Sequence, residues 1–519
     1  MPAGRLGSLA WFLGGSHILA TNEEMIATVD LGSNSFRLQI CRNDGGKLRQ
    51  VDSIKEMVRF ASGLDDKKML SRAIQQSALE TLGRFGERLR GFKPAQVRVV
   101  ATNTFRVARN IQGFIEQAEK ALGFPIEIIA GREEARLIYL GISNTVDFGD
   151  DNALIFDIGG GSTEFIVGHG PKPALTESVN MGCVTYGARF FPDGKVTAEA
   201  FQDAVNAAKN AAQTIVGAFK REGWKLALCS SGSARAIRDV IEAREGRHLA
   251  GIEPEALKSL RADLIAAGGA KRAKLPSLKP ERFNSFPGGL AIMAAVFELF
   301  GLSFATVTDA ALREGVFYDL IGRKQGRDMR DETVEYFANE LYRVDRRQAD
   351  EVKRLALKCF SGLSAQTSKS RWENMRRFLG WACELHEIGM IVSHMGYHKH
   401  SSYLARESDM PGFSRLDQRL LSTLLLGHRG ELAKMRALVD DELTWAALLC
   451  MRLAVIFGRG RILPINPGSV FLQINMSQGR YVLKAPTQWL QDNPLTYSAL
   501  RQEIEEWRSV GHSFKIERV

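Results

Sequence analysis

Two short strings in this chain are built alike, and together they limit its fold more than any other part of it. TVDLGSNSF occupies residues 28–36 and IFDIGGGSTEF residues 155–165. Each is an apolar strand that ends in an acid, Asp30 or Asp157, and then breaks into small residues. The first has Gly32, Ser33, Asn34 and Ser35; the second has Gly159, Gly160, Gly161, Ser162 and Thr163. Glycine lets the backbone approach a bound group closely, so successive N–H groups can turn inward around phosphate oxygens. Neighbouring hydroxyls add donors, and a carboxylate at a strand end can hold a metal ion or its water. One acid followed by glycines usually does no more than reverse a chain. Two such turns, 127 residues apart from Asp30 to Asp157 and each opening a new α/β segment, predict duplicated domains gripping phosphate across a cleft.

A length of 519 residues is too great for one core and predicts about three or four domains. Lys and Arg number 69 against 59 Asp and Glu, a net charge of +10 that favours a polyanionic partner without choosing its kind. Nucleic acid is not expected, because basic and aromatic residues do not interleave as single-strand binding requires. Cys41, Cys183, Cys229, Cys359, Cys383 and Cys450 are scattered with no CxxC pair, which argues against a zinc site or a disulfide framework. Reduced thiols predict a cytoplasmic location, at most peripheral to the inner membrane. No uninterrupted apolar run reaches the ~20 residues of a membrane-spanning helix. Residues 1–24 faintly resemble a secretory signal, but Gly14, Gly15, Ser16 and His17 break the apolar stretch, so they read as a disordered extension or an early start.

Residues 25–147 alternate strands and helices and form a first α/β domain. The pattern predicts a helix over 71–90, strands over 97–101 and 126–130, and a helix over 111–122. A second α/β domain covers 148–325, with a strand over 226–229 that breaks into Ser230, Ser231, Gly232 and Ser233, a helix over 287–300 and a strand over 305–307. The basic stretch 324–330 reads as a linker. Beyond it the apolar period becomes 3.6 up to residue 461, a helical domain, and residues 462–519 form a small α+β domain with strands over 470–475 and 481–484 and a helix over 495–507.

Chemistry concentrates at a few strand ends. Glu133 and Glu134 follow Gly131 at a helix start, where carboxylates complement the helix dipole and where one could also orient a water attacking phosphorus. Spacing alone does not choose between them. Thr102, Asn103, Thr104, Arg106 and Arg109 follow the strand over 97–101, and arginine binds phosphate bidentately, which makes Arg106 a candidate anion clamp.

Taken together, DLGSNSF, the string over 129–141, DIGGGSTEF, NMGCVTYG over 180–187, SSGS, FPGGLAI and DAALREG resemble the bacterial exopolyphosphatase and guanosine pentaphosphate phosphohydrolase family. The resemblance implies two actin-like ATPase (ribonuclease H-like) domains with a cleft between them. It also implies Mg²⁺-dependent release of the terminal phosphate of inorganic polyphosphate, or of the 5′ γ-phosphate of pppGpp, by a homodimer. Residue by residue, the family's general base matches Glu134. Its phosphate loops match Gly32, Ser33, Asn34 and Ser35, and Gly159, Gly160, Gly161 and Ser162. Its polyanion contacts match Thr104 and Arg106, and its Mg²⁺ ligands match Asp157 and Glu134.

Five of the nine histidines, His386, His394, His398, His400 and His428, fall within 43 residues of the helical domain. LHEIG, YHKHSSYL and GHRG there resemble an HD-type phosphohydrolase domain, but Glu387 stands where active members carry aspartate. The favoured reading is a scaffold of hydrogen-bonded histidines over a working metal centre. Within the family the retained Gly161 tilts the expectation to exopolyphosphatase over pppGpp phosphohydrolase. Outside it, an actin-like kinase or a silent nucleotide sensor is the alternative, with SSGS the one candidate for an adenosine pocket.

Overall fold

Ile26, Ala27, Val29 and Leu31 are all buried, as is Thr28 between them, because the strand they form is covered on both faces. This strand, β1 (Met25–Leu31), lies at the centre of a five-stranded sheet with β2 (Phe36–Asp44), β3 (Lys47–Glu56), β4 (Val97–Ala101) and β5 (Glu127–Ile128), in the order β3-β2-β1-β4-β5. The computed structural model describes residues 25–44, 47–148, 151–246, 248, 251–461, 470–475 and 478–519; the expected extension over residues 1–24 lies outside them.

The second sheet repeats the first. Its strands are β6 (Ala153–Ile158), β7 (Thr163–His169), β8 (Lys172–Val179), β9 (Leu226–Ser230), β10 (Gly251–Ile252) and β11 (Ala305–Val307), in the order β10-β11-β9-β6-β7-β8. From β1 or β6 an antiparallel hairpin leads out on one side and parallel strands on the other. These are duplicated α/β domains, as the paired turns predict, and of the actin-like ATPase type, as the family resemblance implies. The strand expected over 126–130 is shorter: only Glu127 and Ile128 pair with β4, while Ile129 bridges to Ser414 in the helical region.

Each half lends a helix to the other. The helix Gly131–Ser143 follows the first sheet yet buries Ala135, Ile138 and Ile142 with Ile155 and Ile166 of the second. The helix Leu312–Lys324 follows the second sheet and packs Phe317, Leu320 and Ile321 on Ile26 and Cys41 of the first. The two helices cross in backbone contact. A Cβ on Gly141 would lie 2.3 Å from the Ala311 carbonyl, and one on Gly315 would lie 1.7 Å from that of Leu137.

After Lys324 the chain is helical, with helices Met329–Tyr336, Arg346–Ser361, Lys369–Leu385, Tyr397–Glu407, Arg415–Gly427 and Glu442–Gly458. The last is buried nearly all round and forms the centre of this part. A terminal sheet of β12 (Phe471–Asn475), β13 (Arg480–Ala485) and β14 (Ser513–Arg518) follows, with the helix Pro494–Ser509 crossing between the parallel pair β13 and β14. Tyr481, Leu483, Leu500, Trp507 and Phe514 share one apolar core with Leu448, Leu449 and Leu453 of the central helix. All six cysteines are unpaired thiols. Among the described residues no helix is long and apolar enough to cross a membrane.

Candidate active site

Both turns are closed in the same way. Leu31 pairs with Phe36 across residues 32–35, and the Gly32 N–H donates to the Ser35 carbonyl at 3.2 Å. Ile158 pairs with Thr163 across residues 159–162, and the Gly159 N–H donates to the Ser162 carbonyl at 2.9 Å. The turns abut, since a Cβ on Gly160 would stand 3.0 Å from Ser33 Cβ. The NMGCVTYG string supports the second turn from behind. The Cys183 and Val184 N–H groups donate to the Gly159 and Gly160 carbonyls at 2.9 and 3.0 Å, and only glycine at 182 leaves room for residues 160 and 161.

A cavity of about 170 Å³ opens over the two turns. Asp30, Asp157 and Glu134 line it, together with all the turn residues 32–35 and 159–162 and with Asn103 and Ser231. Its remaining walls carry Arg37, Lys55, Arg235, Arg282 and Arg313. It is therefore an acid-floored pocket with a cationic rim, a charge arrangement that suits phosphate with a metal ion.

The structure separates the two glutamates that spacing could not. Glu133 is buried, takes Arg136 on both oxygens at 2.7 and 2.8 Å, and is not part of the cavity wall. Glu134 lines the cavity and is gripped from behind by Arg106, whose Nη1 reaches Glu134 Oε2 at 2.8 Å and the Ile129 carbonyl at 2.9 Å. Arg106 thus serves the glutamate in this structure and does not line the cavity. Thr104 also sits behind the wall, donating to Ser33 Oγ at 2.8 Å and fixing the first turn.

Burial, then the charge of Glu134, pushes the Asp30 carboxyl up to about 7, and Asp30 Oδ1 has no hydrogen-bond partner among the described residues. Burial likewise raises Asp157 to about 6, although Ser230 Oγ donates to it. Glu164, beside β6, is raised well above the ordinary carboxylate range by burial and by Glu134 and Asp157. On the opposite wall burial and then Arg282, Arg37 and Arg235 bring the Lys55 ammonium down to about 8. Each wall is thus frustrated alone, and a cation on one side with an anion on the other relieves both.

The five cations of the rim were missed by sequence reasoning, yet four of them, all but Lys55, lie in or beside a motif it had noted. Arg37 follows the first turn, Arg235 follows SSGS, Arg282 precedes FPGGLAI and Arg313 lies in DAALREG. The third small-residue turn also joins the cavity. Ser231 there has φ +100° and caps its helix by accepting the Ser233 and Ala234 N–H groups at 3.0 and 3.2 Å, and Gly232 leaves room for Arg282.

In the helical region His386, His398 and His428 form a buried cluster with ring centroids 5.6 and 6.2 Å apart around His428. His386 and His428 bond the Cys383 and Leu425 carbonyls through Nδ1 at 2.7 Å. His394 is exposed, and His400 is half-buried. Glu387 is bound by Arg461. No three His, Cys, Asp or Glu among the described residues are grouped so as to hold a metal ion.

The fold and the cavity define a phosphate-handling protein of the actin-like ATPase class. The sequence comparisons place it further. Residues 39–324 match the model of the Ppx/GppA phosphatase family and residues 329–504 that of Ppx/GppA phosphatase, domain III, so the chain belongs to this family. It is 34% identical over 499 residues to the guanosine-5'-triphosphate,3'-diphosphate pyrophosphatase of Aeromonas hydrophila subsp. hydrophila, covering 94% of this chain and 98% of the relative. The protein of the same name from Aeromonas salmonicida is equally similar. Among solved structures, an exopolyphosphatase from Cytophaga hutchinsonii shares the fold with TM-score 0.53 at 23% identity, covering 57% of this chain and 98% of that one. The Aquifex aeolicus member of the Ppx/GppA family does so with TM-score 0.50 at 21% identity, covering 58% and 98%.

The near full-length relatives carry a pyrophosphatase name, so they do not bear out the tilt toward exopolyphosphatase drawn from Gly161. A Cβ at this position would stand 2.4 Å from Asn103 Oδ1, so packing against Asn103 accounts for the glycine.

Proposed function

We propose that this chain hydrolyses the terminal phosphoanhydride bond of pppGpp, with Glu134 activating the attacking water. The observation that carries the reaction is the carboxylate Glu134, held by Arg106 and lining one cavity with two phosphate-type turns and a cationic rim. The choice of substrate follows the relatives that are similar over nearly their whole length.

In this reading residues 32–35 and 159–162 hold the terminal phosphoryl oxygens through backbone N–H and hydroxyl groups. Glu134, kept in one rotamer by Arg106, takes the proton of a water as its oxygen bonds to phosphorus. The bond from phosphorus to the bridging oxygen breaks, orthophosphate leaves, and ppGpp departs with the bridging oxygen. Arg37, Arg235 and Arg313 stabilise the charge that develops on the phosphate oxygens, as a loose phosphoryl transition state requires. Asp30, with its partnerless buried oxygen, and Asp157 fit Mg²⁺, which takes one or two carboxylates and completes its shell with water and phosphate oxygens. The charge of Glu134 adds to the pressure that raises both acids. When bound, Mg²⁺ supplies neutralisation of the phosphate charge.

A second reading, inorganic polyphosphate, has its own support. A second cavity shares Lys55, Gly232, Arg235 and Arg282 with the first and adds Lys279. Among the described residues that line the two, none is aromatic, and Lys55, Arg235, Lys279 and Arg282 outnumber the acids Asp239 and Glu281 of the second cavity, which suits a chain of phosphates as well as a 3′-diphosphate. Phosphate release from pppGpp and from long polyphosphate, measured in parallel with Mg²⁺ or with EDTA, tests both. Higher kcat/KM on pppGpp, abolished by EDTA, is expected. Turnover of polyphosphate alone selects the second reading, and turnover of neither overturns both.

A further inference from the structure

The helix turn that carries Glu134 is held from outside its own domain. Glu133 Oε2 accepts the Gly412 N–H at 2.9 Å, in addition to its two bonds from Arg136. Arg132 reaches Asp409 at 2.7 Å, Ile129 bridges Ser414, and Arg323 donates to the Gly412 carbonyl at 3.1 Å. Residues 409–414 of the helical domain therefore touch Ile129 and Arg132, just before the glutamate pair, and Glu133 itself.

The same segment is anchored just as firmly on its own side. Gly412 has φ +86°, and a Cβ there would stand 3.0 Å from the Arg330 backbone nitrogen. Thr333 Oγ1 donates to the Pro411 carbonyl at 2.7 Å. Met410 and Phe413 sink into the helical core, where Phe413 meets Trp381 edge-on at 5.2 Å. Behind Glu133, Arg136 bonds Asp319 at 2.6 Å, and Asp319 also takes Arg98 at 2.6 Å and Arg323 at 2.9 Å. Burial opposes ionisation of Asp319, yet Arg136, Arg98 and Arg323 hold its carboxyl well below the usual carboxylate range. A buried network of this kind resists the loss of any one member, so the turn has little freedom to drift.

We propose that residues 409–414 of the helical domain are a positioning element for the reaction, acting on Glu134 through Glu133. Glu133 is then a positioning residue: it touches no substrate, and it fixes the backbone from which the next side chain reaches the water. The proposal rests on Glu134 being the water-activating group. Misplacement of a reacting group by about 1 Å can cost on the order of a hundredfold in rate, so loosening this anchor acts on kcat.

The test is a double-mutant cycle on full-length protein with pppGpp or polyphosphate, whichever the protein turns over. Glu133→Ala and Gly412→Ala should each lower kcat by about tenfold or more with KM within about twofold. The double variant should fall no further than the worse single, because Glu133→Ala removes the acceptor and Gly412→Ala, crowded against Arg330, displaces the N–H donor of the same hydrogen bond. Hydrogen exchange should rise at residues 129–135 and stay unchanged at 159–163. Thr333→Val, which removes one hydrogen bond from the segment, gives a milder loss in the same direction and serves where the stronger variants do not fold. Wild-type kcat in the variants that fold, multiplicative losses in the double variant, or a loss that only follows global melting overturns the proposal. Glu134→Gln run alongside separates the two claims. If it is dead while the anchor variants run at wild-type rate, the anchor alone is wrong; if it turns over normally, both fall.

Discussion

Gly161 has no space for even a methyl group, since Asn103 Oδ1 fills the position a Cβ would take. Gly161→Ala should lower the unfolding free energy by about 1–3 kcal/mol, through forced movement of Asn103, as read from urea denaturation. It should reduce kcat on pppGpp and polyphosphate alike, because Asn103 lines the shared cavity. Loss of one activity with the other intact would restore a substrate-selecting role to this glycine. At this scale the acids and glycines of the two turns were legible in the sequence because strand, acid and small-residue turn are local in the chain. Spacing could not separate the glutamate pair, which only the family resemblance divided, because the partners that divide Glu133 from Glu134 come from residues 106, 136 and 412. The cationic rim was invisible for the same reason: its five side chains arrive from five separate segments, and no spacing links them.

The helix Tyr397–Glu407 and the ends of its neighbours hold three imidazoles out of water, and that has a consequence in acid. Burial holds His386 and His428 below the ordinary imidazole range, and burial with Lys434, Lys399, Arg429 and Arg452 takes His398 down to about 4. Below pH 6.5 the unfolded chain binds protons at these sites before the folded one does, so folding stability is present above that pH and is lost as pH falls toward about 4. Buried Asp30, Asp157 and Glu164, whose carboxyls are raised, act in the opposite sense over this window, so the histidine contribution is read as a difference. The change in melting temperature between pH 6.5 and about 4, followed by circular dichroism, should be more destabilising in the wild type than in His428→Gln, and identical pH profiles of the two would contradict the account. Helices here were legible from their 3.6 period. Strand β14 was not, because SFKIER alternates apolar residues with charges at the edge of a three-stranded sheet and takes its register only from β13.

At the scale of the molecule, the duplicated turns foretold two α/β halves, and the repeated strand order shows them. The exchange of helices between halves was not foreseeable, since the helix Gly131–Ser143 is amphipathic toward either sheet until the chain is folded. The union of the helical region with the terminal sheet was equally hidden. Arg452 bonds Glu503 at 2.7 Å through two nitrogens, both side chains being buried, and Trp507 lies in the core of the helical region. Ending the chain after Arg461 strands that arginine at a cost of about 3–5 kcal/mol and opens the core. Limited proteolysis of such a truncation should cut within residues 329–461 while the fragment 25–324 persists; equal resistance of both parts would show the helical region to be self-sufficient.

The central claim is that Glu134 turns a phosphate-binding cavity into a hydrolase, and one comparison reaches it directly. Phosphate release under single-turnover conditions with Mg²⁺ is measured for the wild type and for Glu134→Gln, alongside equilibrium binding of the same substrate. Loss of a general base predicts a rate lower by about 10²–10⁴-fold with binding retained. A variant that binds and releases phosphate at the wild-type rate would contradict the account.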